Sequence, residues 1–357
     1  MPTTSMRQTA SMDVLLAYAT VVFWLLVCWK TPASEPKAAT SEAVLAEGSN
    51  DVLHLYTALD TNEAKIYIRA FEAETGIQVR WVRLSAGEVL VRISSERANP
   101  QVALWFGGPS PEFIVAKREG LLASYAPRIN FELPPGTFDD AHYWTGFYFG
   151  AIGFASNTEI LARQGIPPPT SWSDLIKPEF EGEISVAYAY TSGTANTLLA
   201  AIVQMMGEDA GFDYVAKLDR NVHHYNRSGS ACVTQVGFGE VAVGIAFSHD
   251  IVKKGPAKGY PVVLSFPKEG TGFEIGAMAL VKGGPNQVAA KQFMDWALSV
   301  RAQNLMQKWF RTPLNPNAEV AKGAVTADKV KLIKFDAIWA ADHRQRLVER
   351  WREVTAQ

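Results

Sequence analysis

A chain of 357 residues that is 48% hydrophobic and 20% charged has the composition of an ordinary globular protein, long enough for two lobes, and excludes the disordered and fibrous classes. With 34 basic and 36 acidic residues there is no global positive field to draw the chain onto nucleic acid, so no nucleic-acid partner is expected. Two cysteines, Cys28 and Cys232, support no disulfide framework, and neither Cys-x-x-Cys nor His-Glu-x-x-His occurs, which removes the common zinc patterns.

The N-terminus differs from the rest. An uncharged apolar run, "VLLAYATVVFWLLVC", suits the core of an export signal or a retained anchor, so residues 1–30 are read as that segment. Residues 31–50, biased to Pro, Ala, Ser and Glu, are read as a flexible linker.

From Val52 strand and helix alternate: "VLHLYTA" as a strand, "NEAKIYIRAFEAET" as an amphipathic helix stopped by Gly76, and "IQVRWVRL" as a strand. "SAGEVLVRISSERAN" follows as a helix capped by Ser85, "VALWFGG" as a strand ending in Gly107 and Gly108, and "PEFIVAKREG" as a further helix. This spacing predicts a mainly parallel sheet flanked by helices, with ligands gathering at the carboxyl ends of the strands. There the loops carry Ser85, Gly87, Gly107 and Gly108, each either a cap or turn residue or a ligand contact.

After a Pro-rich stretch, "FYFGAIGFASNT" reads as a strand leaving one lobe for another. The second lobe contains "AYAYTSGTANT", a strand running through Tyr190, Thr191, Ser192, Gly193 and Thr194 straight into a helix. Such a turn can cap itself or hold an anion, because the first N–H groups of a helix lack intrahelical partners. "QVGFGEVAVGIAFSHD" ends in Ser248, His249 and Asp250, three polar groups that either cap locally or face hydroxyls. "EGTGFEIGAMALVKGG" returns as a strand, with Glu269 or Glu274 expected to reach the cleft. "NQVAAKQFMDWALSVRAQNLMQKWF" is predicted as one helix, and "DHRQRLVERWREV" as a solvated amphipathic one.

The series "WFGGPSPEFIVAKREGLL", "PTSWSDLIKPEFEGEI", "TSGTANT", "FSHD", "EGTGFEIGAMALVKGGPN" and "FMDWALSVRAQ" resembles the type II periplasmic solute-binding proteins of ABC importers. Within them it is most similar to the iron(III)-type branch, and there to members that take phosphorylated organic solutes such as hexose phosphates or aminoalkylphosphonates. The resemblance implies an α/β fold of two lobes, each a mainly parallel sheet flanked by helices, joined by hinge strands. Lobe one would hold residues 51–152 with 272–312, lobe two 153–271, with 313–357 as a C-terminal helical segment packing on both.

It further implies a monomer without cofactor, metal or catalysis, exported to or tethered in the periplasm, delivering a phosphorylated small molecule to an inner-membrane ABC permease. Thr191, Ser192, Gly193 and Thr194, with Ser85 and Gly87, would meet the phosphate, and His249 with Asp250 the organic end. A ferric-iron reading of the same fold asks for adjacent tyrosines, whereas here Ala189 separates Tyr188 from Tyr190. An enzyme on this scaffold would need a nucleophile beside His249 and Asp250, and no nucleophile elbow, P-loop or dinucleotide fingerprint is present.

Overall fold

The alternation of apolar strands and capped helices produces the first lobe directly. The computed structural model describes residues 52–357; the expected export segment and linker lie outside the described residues. The lobe opens with β1 (Val52–Thr57), α1 (Thr61–Thr75), β2 (Gln78–Arg83), α2 (Ala86–Ser95), β3 (Leu104–Pro109), α3 (Ser110–Arg118) and the short β4 (Leu122–Ala123). Helix α1 shows the local logic. Asp60 accepts from the Asn62 N–H to start it, Gly76 at φ 73° ends it, and Ala64, Tyr67, Ile68 and Phe71 bury one face at helical spacing.

Strand β5 (Thr145–Asn157) is buried along its whole length and belongs to both lobes. Beyond it come α4 (Thr158–Gln164), β6 (Ile184–Ala187), α5 (Gly193–Met206), α6 (Glu208–Asn221), β7 (Val222–Asn226), α7 (Ala231–Phe238), β8 (Val243–Phe247), α8 (Ser248–Lys254) and β9 (Val262–Ser265). The chain then returns through β10 (Phe273–Val281) to α9 (Gln287–Ala297), α10 (Val300–Asn304), β11 (Thr312–Pro313) and α11 (Ala337–Thr355).

The sheet order is β2-β1-β3-β10-β5-β8-β6-β7. β1 runs parallel to β2 and β3, and β6 parallel to β7 and β8, as the alternation predicts. The antiparallel pairs come from the crossing strands: β5 pairs with β10 through Ala151, then with β8 and β9 from Ile152 onward. Two lobes therefore share one continuous strand, and the carboxyl ends of β1, β2, β3, β6 and β8 open on one cleft.

Two predicted elements differ in form. The run from Asn286 to Phe310 breaks because Ser299 takes an extended backbone and accepts from the Ala302 N–H, starting α10 afresh. Helix α11 begins before Asp342 and is not solvated throughout. Leu347, Val348 and Trp351 enter the core of the second lobe, while Ala341 packs into that of the first. Cys232 is a buried free thiol, pushed up to about 11 by burial. Among the described residues no helix is long and apolar enough to cross a membrane.

Candidate functional site

Part of the cleft lining comes from the start of α5 and the loops facing it. The strand expected to run through Tyr190 stops at Ala187, and after a turn Ser192 takes an extended backbone and its Oγ accepts from the Ala195 N–H at 3.3 Å, which starts α5. Gly193 and Thr194 then hold the first two helical positions, whose N–H groups have no intrahelical acceptor. A side chain at Gly193 would place Cβ 2.6 Å from Cδ of Pro109 and 3.0 Å from Cβ of Ala86, so glycine lets the lobes meet here. Arg83, at the end of β2, donates to Ser85 Oγ at 3.3 Å and, across the cleft, to Ser228 Oγ at 3.0 Å. These groups, with Gly229 and Ser230, line one cavity of about 50 Å³. A guanidinium, the hydroxyls of Ser85, Ser192, Thr194, Ser228 and Ser230 and free N–H groups gather here, donors of the kind that suit an anion without a net positive protein.

The rest of the lining is a cluster of interacting side chains. Its wall holds His249 and Asp250 from the first turn of α8, Glu274 from β10, Tyr148 from β5, and Arg311 from the bend before β11. Arg311 is clamped by Glu63 of α1: Nε donates to Oε1 at 2.6 Å and Nη2 to Oε2 at 2.9 Å. Its Nη1 lies 2.7 Å from His249 Nε2, and its guanidinium stacks 3.9 Å above the Tyr148 ring. Tyr148 Oη donates to Glu274 at 3.4 Å. Burial raises the Glu274 carboxyl to about 8 against the pull of Arg311, so it is largely protonated at neutral pH. Burial, then the charges of Arg311 and Lys254, hold His249 well below its ordinary value, so its ring is neutral.

Residues 113–340 match the family described as bacterial extracellular solute-binding protein. The chain belongs to this family. The periplasmic binding protein AfuA of Actinobacillus pleuropneumoniae, solved with exogenous fructose-6-phosphate bound, superposes on this solute-binding protein with a TM-score of 0.82. The two are 32% identical over 85% of this chain and 98% of that one. A putative 2-aminoethylphosphonate-binding periplasmic protein of Salmonella typhimurium is 28% identical over 90% of this chain and 95% of its own. The ferric binding protein of Campylobacter jejuni shares the fold, with a TM-score of 0.72 and 24% identity over 85% of this chain and 99% of that one.

In this solute-binding protein the fold brings Ser85, Gly108, Ser192, Gly193, Thr194, His249, Asp250 and Glu274 to the lining of one cavity. Other expected contacts are spent elsewhere. Gly87 faces the second lobe: its N–H donates to the Thr191 carbonyl at 3.0 Å, and a Cβ would sit 2.5 Å from the Tyr190 carbonyl. Gly107, at φ 88°, turns the end of β3 against Leu59, and its carbonyl accepts from Trp105 Nε1.

Tyr190 packs between Tyr188 and Trp351 with Arg352 over its ring, and Thr191 Oγ1 donates to the Arg227 carbonyl at 3.0 Å. Glu269 is exposed and accepts from Ser171 Oγ, so of the two glutamates it is Glu274 that reaches the cavity. The sequence reading missed Asp60, Arg83 and Arg311. A cation at a strand end looks solvated until the facing lobe is known, and Glu63 is 248 positions from the arginine it clamps.

Proposed function

We propose that this protein captures a small phosphorylated or phosphonate solute between its lobes and delivers it to an ABC permease. The observation that carries this reading is the convergence of Arg83, the α5 N-terminus and the Ser228 to Ser230 turn on one wall of a cavity. The same cavity offers the carboxyl groups of Asp250 and Glu274 to an organic moiety. The ligands named for AfuA and for the Salmonella protein share that two-ended chemistry. The protein acts as a monomer in the periplasm, without cofactor or catalysis. Lobe one comprises residues 51–152 with 272–312 and lobe two 153–271, hinged where β5 and β10 cross.

Tyrosine placement supports a phosphate over ferric iron. Tyr188 and Tyr190 pack against each other at a tilt and meet Trp351 edge-on, outside the cavity lining. The phenol that does line it, Tyr148, is buried and held well above its ordinary value, which disfavours the phenolate that Fe(III) needs. Thermal-shift and calorimetric titration of the purified protein with hexose phosphates, 2-aminoethylphosphonate, inorganic phosphate and ferric citrate tests the reading. Stabilisation by a phosphorylated solute is expected. Stabilisation by iron alone, with a tyrosinate absorption band, overturns it.

A further inference from the structure

Arg311 lines the cavity and at once touches Glu63 of α1, His249 of α8 and Tyr148 of β5. A guanidinium keeps its charge and has no acceptor, so its Nη1, 2.7 Å from His249 Nε2, must be donating to an unprotonated ring nitrogen. A neutral imidazole carries one N–H, which places the proton on Nδ1. That edge of the ring lies against Gly150, where any Cβ would stand 2.6 Å from Nδ1, and Nδ1 is buried without a hydrogen-bond partner.

The groups facing the ring are Arg311, Glu274 of β10, Asp250 and Lys254 of α8, Tyr148 of β5 and, through Arg311, Glu63 of α1. Protonating the imidazole would set an Nε2–H against the Arg311 N–H. The two carboxyl groups nearest Nε2, Asp250 Oδ2 and Glu274 Oε1, each lie 3.6 Å away and receive no proton from it. Both oxygens of Glu63 are already taken by Arg311, so that carboxylate is not open to a ligand cation.

We infer that Arg311, clamped by Glu63, is a positioning residue that fixes His249 as the neutral tautomer with its proton on Nδ1 and leaves Asp250 and Glu274 to meet the ligand. That arrangement selects the hydroxyl donors of a polyol phosphate over the ammonium of an aminophosphonate. The selectivity rests on the functional reading above. Hydroxyls both donate to Asp250 and accept from a carboxylic acid, whereas an ammonium would enter beside a buried guanidinium whose counter-charge is spent.

The test pairs a spectroscopic readout with a ratio of affinities. Long-range proton–nitrogen correlation spectra of protein labelled at histidine nitrogens should show His249 in the Nδ1–H form throughout about pH 5.5 to 8. Arg311→Lys, which keeps a charged donor, should retain that form. Arg311→Met should lose it, and the double variant Glu63→Gln with Arg311→Met, which strips the buried pair together, covers the case where the single variant fails to fold.

Calorimetry with fructose 6-phosphate and 2-aminoethylphosphonate should show the affinity ratio between them falling about tenfold in the double variant. A wild-type His249 that carries Nε2–H or titrates near pH 6.5 overturns the positioning role. An unchanged ratio overturns the selectivity. Absence of binding by either ligand overturns the functional reading and the selectivity with it, while the tautomer, read on ligand-free protein, stands or falls by itself.

Discussion

Lys254 Nζ stands 2.9 Å from Asp60 Oδ2, tying the last turn of α8 to the start of α1 across the two lobes. The same ammonium donates to Ser230 Oγ at 2.9 Å, and Asp60 also caps α1, so one ion pair links lobe closure to the geometry of the anion wall. Burial works to raise the Asp60 carboxyl, but Lys254 and the Asn62 N–H hold it below its ordinary value. A depressed carboxylate stabilises the closed form above its ordinary pKa and loses that contribution as pH falls through the lower value, so the effect disappears only below about pH 4.

Lys254→Met should therefore weaken solute binding at neutral pH by about 1 kcal/mol, the scale of a partly exposed pair. It should also flatten the dependence of affinity on salt. Calorimetry at low and high ionic strength checks both; a variant as salt-sensitive as the wild type would remove the pair from closure.

Gly193→Ala isolates closure from chemistry. The N–H groups of α5 remain, and the three atoms nearest the added methyl belong to Pro109 and Ala86 of the other lobe. Overpacking of this kind costs about 1 to 3 kcal/mol, so affinity should fall about tenfold or more while the melting temperature of the ligand-free protein holds. Small-angle scattering should show the compaction on adding solute diminished. Unchanged affinity would mean the lobes do not need this contact.

Glu274 makes stability depend on pH in the opposite sense to Asp60. Its carboxyl is raised to about 8 by burial in the folded state, against about 4.3 in an unfolded chain. The folded state thus binds the extra proton between those values. Its contribution is complete at low pH and is lost as pH rises to about 8, worth a few kcal/mol at most. Glu274→Gln should flatten the decline in denaturant midpoint between about pH 5 and 8. An identical slope in the variant would place the titrating group elsewhere, with Glu63 and Asp250, both also raised by burial, as the next to replace.

Local pattern revealed the elements, and contacts between distant elements decided the site. Asp60 and Gly76 punctuate α1, Ser192 caps α5, and the unbroken apolar run of β5 betrays a strand buried on both faces, so each was legible from its own neighbours. Ser192, Gly193, Thr194, His249 and Asp250 were legible because strand-to-helix turns at the carboxyl edge must face the cleft. Arg83 and Arg311 carry no such mark. Their charges acquire meaning from Ser228 and Glu63, which other elements bring to them. Tyr190 misled for a similar reason: nothing near it in sequence announces Trp351, which claims its ring.

The two ends of the cavity should fail differently when altered. Arg83 addresses the anion wall, so Arg83→Met removes a charged donor that any phosphorylated solute would meet. Affinity should drop by about 1.5 to 3 kcal/mol for each of them alike. Asp250 lines the same cavity, and among the described residues its carboxyl takes no hydrogen bond from the protein, the nearest basic atom being His249 Nε2 at 3.6 Å. On the proposed reading its acceptors would meet the part of the solute that varies between ligands. Asp250→Asn keeps the shape and turns one acceptor into a donor, so it should reorder the ligands rather than weaken all equally. Titrating both variants with fructose 6-phosphate, glucose 6-phosphate and 2-aminoethylphosphonate separates the two cases, because selectivity is read in ratios and general affinity is not. A uniform loss in Asp250→Asn, or a reordering in Arg83→Met, would reverse the orientation assigned to the solute.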